Sequence, residues 1–177
     1  MILKNKIFKV KTFDLEYGES SSISDAIDKL ILDVSSAIDK GTTIIHLNEA
    51  LPSKNKLSLN ALMATGALHQ ALIEQKKRTK VNIIVSTGSA RDTHQIACLI
   101  AFGATSVYPW LAYQTILDLS HKTELKGDPF ENCAKYRKGI NKGLLKIISK
   151  LGISLISSYR GSQLFEIVGL SNEVVEK

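Results

Sequence analysis

Cysteine is scarce: Cys98 and Cys133 are the two thiols in 177 residues. They cannot build a disulfide framework and their spacing matches no zinc motif, so the chain reads as a reduced, cytosolic protein. Aromatic residues are thin as well, at 6%, too few for a platform on which single-stranded nucleic acid stacks. No apolar run approaches the roughly 20 residues needed to span a bilayer. The opening Met1-Ile2-Leu3-Lys4-Asn5-Lys6 carries basic charge with no apolar segment or cleavage site behind it. Neither a signal peptide nor a membrane anchor is expected. The histidines, His46, His69, His94 and His121, fall in four different predicted elements and form no recognisable metal motif. There is also no G-x-S-x-G elbow and no G-x-G-x-x-G fingerprint.

What is present is ordinary globular material, 44% hydrophobic and 23% charged. A chain of this length buries about 70% of its unfolded surface and needs no metal or disulfide to hold a core. The net charge of +6 is spread along the chain, with one cluster at Lys76-Lys77-Arg78-Thr79-Lys80. A basic run at a helix end serves the dipole and solubility, so no nucleic-acid partner is expected.

Short β-branched runs alternate with longer helical periods. Residues 7–13 alternate and predict a strand at a sheet edge. Ser22 with Asp25 resembles a capping box. Behind it, apolar side chains at 23, 26, 27, 30, 31, 34, 37 and 38 give the spacing of an amphipathic helix closed by Lys40-Gly41. Residues 42–47 and 81–87 are nearly continuous in apolar and β-branched side chains, as strands covered on both faces are. Helices are predicted over 59–77 (capped by Ser58), 91–102, 113–121 and 128–150, and further strands over 105–110 and 153–158. Residues 161–168 suit a helical turn. The fold class is therefore α/β: a mostly parallel sheet of alternating βα units flanked by helices. Residues 171–177 read as a capped helix that has only begun, which suggests a piece of a longer protein.

Candidate chemistry is sparse. His46, inside an apolar strand, reads as a satisfied core histidine, and Cys98 as a small buried hydrophobe. Thr87, Gly88, Ser89 and Arg91, between a strand and a helix, form a possible anion site: backbone N–H groups and a helix N-terminus face one point. The plainer alternative is a βα turn in which Ser89 caps the helix. The densest polar cluster is Ser157-Ser158-Tyr159-Arg160-Gly161-Ser162-Gln163-Leu164-Phe165-Glu166, read as following a strand. There Arg160 could clamp a carboxylate, and Gln163 or Glu166 could hydrogen-bond a ligand. A merely exposed loop is the alternative. From the residues alone, no catalytic group emerges.

Two stretches carry more. Lys142-Gly143-Leu144-Leu145-Lys146-Ile147-Ile148-Ser149-Lys150-Leu151-Gly152-Ile153-Ser154, with Ser157 to Glu166 and Gly169-Leu170, resembles the junction of the central and FMN-binding domains in the glutamate synthase large subunit. Thr87-Gly88, Ala90-Arg91-Asp92, His94, Gly103-Ala104, Pro109-Trp110 and Leu111-Ala112 resemble a central-domain segment of the same family, as do Leu68-His69-Gln70 and the strand near Thr42. Ile148 and Leu151 stand where the family usually has methionine, and Ser86 and Ser89 where acidic residues are common. The family's amidotransferase begins with a nucleophilic cysteine and its iron–sulfur cluster needs three, which this chain lacks.

The resemblance implies a parent enzyme that hydrolyses glutamine and passes ammonia through a tunnel. The ammonia then adds to 2-oxoglutarate, and reduced FMN delivers hydride to the resulting 2-iminoglutarate. It assigns residues 1–135 to the central α/β domain and residues 136–177 to the junction helix and the start of the FMN-binding domain. Lys150, Tyr159, Arg160, Gly161, Gln163 and Glu166 become candidates for substrate-proximal or gating roles. The implied cofactors, FMN and an iron–sulfur cluster, belong to the parent enzyme and not to this chain. The implied partners are the amidotransferase domain, the FMN barrel and a small reductase subunit. A free-standing phosphate- or carboxylate-binding module at 87–91 is the alternative function.

Overall fold

The computed structural model describes residues 8–175. Along the chain lie β1 (Val10–Asp14), β2 (Glu16–Gly18), α1 (Ile23–Asp39), β3 (Ile44–Asn48), β4 (Lys56–Ser58) and α2 (Ala61–Glu74). A single 3₁₀ turn (Arg78–Lys80) leads to β5 (Asn82–Thr87), α3 (Thr93–Ala101), β6 (Ser106–Pro109) and α4 (Trp110–His121). Then come α5 (Pro129–Lys150), α6 (Ile156–Tyr159) and α7 (Asn172–Val175). The α/β class read from the sequence is the class that forms.

The main sheet is fully parallel, in the order β1-β3-β5-β6. β2 and β4 make a small antiparallel pair beside it. Strand order follows chain order, as it does around an eight-stranded βα barrel. The sheet thus has no reversal of order, and no crevice of the doubly wound type. Right-handed crossovers in one direction put α1, α2 and α3 on one face. The registers agree: Phe13, Ile45, Leu47, Ile83 and Val85 share a face, and all are in the hydrophobic core with the helices. The opposite face carries Thr12, Asp14, His46, Asn48, Ser86 and Tyr108.

Local chemistry sets the helix ends. Ser22 and Asp25 make the expected capping box of α1, and Gly41 takes a positive φ of +87° just after it. Along α1, Ile27 and Val34 are fully enclosed, each contributing roughly 1.5–3 kcal/mol of burial. α2 is capped by the Asn60 side chain, not by Ser58, which ends β4. α3 is capped by Asp92 with Gln95, not by Ser89. Asp128 caps α5, with Pro129 in its first turn.

Two expectations near the C-terminus are overturned. Residues 153–158 do not form a strand. Ile156–Tyr159 is a helical turn, and the backbone continues onto the end of α3, where Gly161 N–H donates to the Ala101 carbonyl at 2.7 Å. A short β-branched run cannot be told from a short helical one by periodicity. Residues 161–168 form no helix, because Gly161 (φ +72°) and Gln163 (φ +54°) both turn left-handed. The β2–β4 pair had no counterpart in the sequence pattern. Of the predicted edge strand, Ile7 lies outside the described residues.

Gly103 and Gly139 should respond oppositely to alanine. Gly103 has φ +119°, and a Cβ there would sit 2.5 Å from the His69 ring; Gly103→Ala is expected to cost at least about 2 kcal/mol. Gly139 lies mid-helix in α5 with open space around it; Gly139→Ala should gain roughly 0.5–1 kcal/mol. Urea unfolding of the two variants checks the pair, and shifts of the same sign would contradict this packing.

Candidate functional site

At the carboxyl end of the sheet the segments after β3, β5 and β6 converge on one residue, Glu49. It follows a strand buried along nearly its whole length and is itself 8% exposed. Its Oε2 accepts from the Thr87 hydroxyl, from Gly88 N–H (3.1 Å), from Ser89 N–H (3.2 Å) and from Ser89 Oγ (2.9 Å). Its Oε1 accepts from Ala61 N–H, at the start of α2, at 3.2 Å. The Glu49 main chain is fixed too: its N–H donates to Ser86 O (2.8 Å), and its carbonyl accepts from Trp110 Nε1 (2.9 Å). The Trp110 ring lies against Gly88, where a Cβ would come within 3.0 Å of it.

The nest at Thr87, Gly88 and Ser89 is therefore an anion cradle whose anion is the chain's own carboxylate. Arg91 takes no part in it. Its side chain is exposed, while its N–H donates to Gln95 Oε1 and its carbonyl accepts from the Tyr136 hydroxyl. An external phosphate at this point would have to displace Glu49. No sequence motif marked Glu49, although an acidic residue just past a buried parallel strand is at the position where such sheets concentrate function.

His46 is satisfied on both ring nitrogens, by Thr12 Oγ1 (3.1 Å) and Ser86 Oγ (2.7 Å). Burial holds its pKa below the ordinary value, against the opposing pull of Asp14. His94 and Cys98 lie one turn apart on α3, Nε2 to Sγ 3.7 Å. Burial raises the Cys98 thiol pKa, which disfavours the nucleophilic thiolate.

Three of the tail candidates, Tyr159, Arg160 and Gly161, lie at the other end of the sheet, near the strand starts. Tyr159 is fully enclosed, with its ring edge-on to Phe165. Arg160 Nη1 donates to Thr105 Oγ1 (3.0 Å), just before β6. The Gly161 Cα packs on His69, where a Cβ would meet Nε2 at 2.9 Å. Lys150, Gln163 and Glu166 are exposed. Tyr159, Arg160 and Gly161 are thus brought together, while the nest at 87–91 lies at the opposite sheet end. Sequence reasoning missed Arg78, which it read as part of a solvated run. Arg78 instead bridges His69, Val81 and Gly103.

His69 accepts from Arg78 Nε at 2.8 Å. Burial first, then the charges of Arg78 and Arg160, lower its pKa from 6.5 to about 4. Among the described residues, no three His, Cys, Asp or Glu side chains are grouped to hold a metal ion, and no helix is long and apolar enough to cross a membrane.

Residues 1–171 match the family described as the glutamate synthase central domain. The NADPH glutamate synthase large chain of Bacillus subtilis is 37% identical over 158 residues, covering 89% of this chain and 10% of its own length. A ferredoxin-dependent glutamate synthase of Pyropia yezoensis is 40% identical over 176 residues, covering 92% and 11%. The NADH glutamate synthase of Saccharomyces cerevisiae is 33% identical over 180 residues, covering 96% and 8%. The chain thus spans about a tenth of the length of these curated relatives. Among solved structures, a flavocytochrome b2 variant with sulfite bound aligns with a TM-score of 0.61 at 12% identity, over 99% of this chain and 41% of that one. That likeness is one of fold.

Glu49→Ala would remove the acceptor shared by three backbone N–H groups and the Thr87 and Ser89 hydroxyls, and should cost about 3 kcal/mol or more in urea unfolding. Glu49→Gln, which keeps one acceptor oxygen, should fall between the two. A loss below about 1 kcal/mol for the alanine variant would show that the cradle does not depend on it. His69 gives a pH test. Its folded pKa lies below the unfolded value, so the unfolded chain binds the extra proton, and the stability it contributes above pH 6.5 is lost as pH falls toward 4. A proton NMR titration of the His69 ring should show a midpoint near 4; one near 6.5 would refute the burial described.

Proposed function

Because this chain belongs to the glutamate synthase central-domain family, we propose that it is the connecting α/β unit of a glutamate synthase large chain. In this reading the parent enzyme converts glutamine, 2-oxoglutarate and reductant into two molecules of glutamate. The unit holds the amidotransferase and the FMN-binding synthase domain in fixed relation and performs no chemistry itself. Residues 1–135 are its body, and residues 136–177 are the junction helix and the start of the synthase domain. The partners are those two domains, with a small reductase subunit beyond them, in the cytoplasm.

The observation that carries this reading is how the junction is fixed. The segment after α5 folds back onto the body and is held by the enclosed Tyr159, the Arg160–Thr105 hydrogen bond and the Gly161–Ala101 backbone bond. A movement on the C-terminal side would be transmitted to α3 and β6 and not absorbed by a loose linker. Phe165 packs against His94, Phe102 and Tyr159, so the backbone that presents the exposed Glu166 is anchored. Glu166, with Gln163 and Lys150, is the surface through which substrate arrival would be signalled.

The cofactors of the parent belong to other domains. Cluster ligation takes a set of cysteine thiolates, and this chain has two cysteines, one on α3 and one on α5. The loop best suited to a flavin phosphate has its donors committed to Glu49.

Two measurements test the proposal together. The purified 177-residue chain should neither hydrolyse glutamine nor retain flavin. In the intact parent enzyme, Glu166→Ala should leave folding nearly unchanged while glutamine hydrolysis and glutamate formation depart from their one-to-one ratio. Turnover by the isolated chain would end the connector reading, and equal loss of both activities would reduce Glu166 to a structural residue.

A further inference from the structure

At the strand-start end of the sheet, two guanidinium groups are held on neighbouring acceptors without a counter-charge. Arg78 spends Nε on His69 Nδ1 (2.8 Å), Nη1 on the Val81 carbonyl (2.7 Å) and Nη2 on the Gly103 carbonyl (2.8 Å). Arg160 spends Nη1 on the Thr105 hydroxyl (3.0 Å). All four acceptors are neutral. Both side chains are half-buried, and each lies in the other's electrostatic neighbourhood and in that of His69. Among the described residues, the one ion pair is Lys77–Asp39, so no carboxylate reaches either guanidinium.

The end of α3 offsets part of this charge through its carbonyl groups. A helix C-terminus supplies roughly half an elementary charge, against two full positive charges, which leaves most of the excess standing. A guanidinium has five N–H donors. Arg78 has used three and Arg160 one in these contacts, so N–H donors remain on both.

We propose that Arg78 and Arg160 together form a binding site for a single oxyanion, a carboxylate or a phosphate. Two neighbouring guanidinium groups match the paired oxygens of such a group better than ammonium groups would. Gly161 lets the junction backbone pack on His69, where a Cβ would come within 2.9 Å of Nε2, and so sets Arg160 beside the Arg78–His69 pair. Occupation would tie the 3₁₀ turn before β5 to the junction segment, which makes the anion a clamp on the joint. The proposal rests on the same segment as the connector reading. It is read out by binding to the 177-residue chain, however, so either can fail without the other.

The test is a side-chain ¹⁵N NMR titration of the arginine Nε–H signals. Sodium phosphate, sodium succinate and sodium chloride are added in separate series at matched ionic strength. Saturable shifts of both Arg78 and Arg160 are expected with phosphate or succinate and not with chloride. A response to phosphate alone identifies a phosphoryl ligand, and a response to succinate identifies a carboxylate. Arg160→Gln should weaken the binding at least about tenfold by removing one fork, and Arg160→Lys should restore it only in part. If the shifts with all three salts are alike and unsaturable, or if Arg160→Gln binds as tightly as the parent chain, the site does not exist. Should Arg160→Gln fail to fold, the titration of the unsubstituted chain decides alone.

Discussion

The buried carboxylate of Glu49 organises the carboxyl end of the sheet. It ties together the exit of β3, the first turn of α2 and the loop between β5 and α3, and its main chain accepts the indole of Trp110 at the start of α4. Burying a charge is unfavourable unless nearly every lone pair is answered, and here backbone donors from two segments and two hydroxyls answer it. In βα architectures the loops at this end usually hold substrate. In this chain the donors of the loop after β5 are taken up by Glu49.

With that end occupied, the distinctive surface moves to the strand starts. There His69 sits between Gly103 and Gly161, two glycines from distant parts of the sequence, each with left-handed backbone and each too close to the imidazole for a side chain. Arg78 orients the ring and reaches the end of α3. The segment after α5 joins this cluster through Gly161 and Arg160. The residues after α5 thus share one packed cluster with α2, α3 and the start of β6.

Much of this was legible in the residues. Ser22 with Asp25 and the three-and-four spacing behind it define α1, and the buried strands at 44–48 and 82–87 announce themselves by composition. His46 between two hydroxyls is the satisfied core histidine its surroundings suggested. What the residues concealed were long-range choices. Ser58 and Asn60 are both good caps, and tertiary pairing of β4 took Ser58. Residues 153–158 have strand composition, yet the pull of Tyr159 into the core and the docking of Gly161 on α3 impose a helical turn. Ser89 could cap α3, but Glu49, 40 residues earlier, claims its hydroxyl and N–H. Nothing local in the sequence encodes that pairing.

The hydroxyl–imidazole–hydroxyl row from Thr12 through His46 to Ser86 has a consequence for how the sheet assembles. It crosses β1, β3 and β5 on the face away from the helices. Slipping any of these strands by one residue would exchange its faces. His46 would then turn toward the layer that holds Phe13 and Val85, and Leu47 would turn into the polar row. Four short parallel strands rich in similar β-branched residues have many nearly equivalent alignments. One imidazole wanting two specific hydroxyls makes them inequivalent, and acts as an address label that lets the strands find a single alignment.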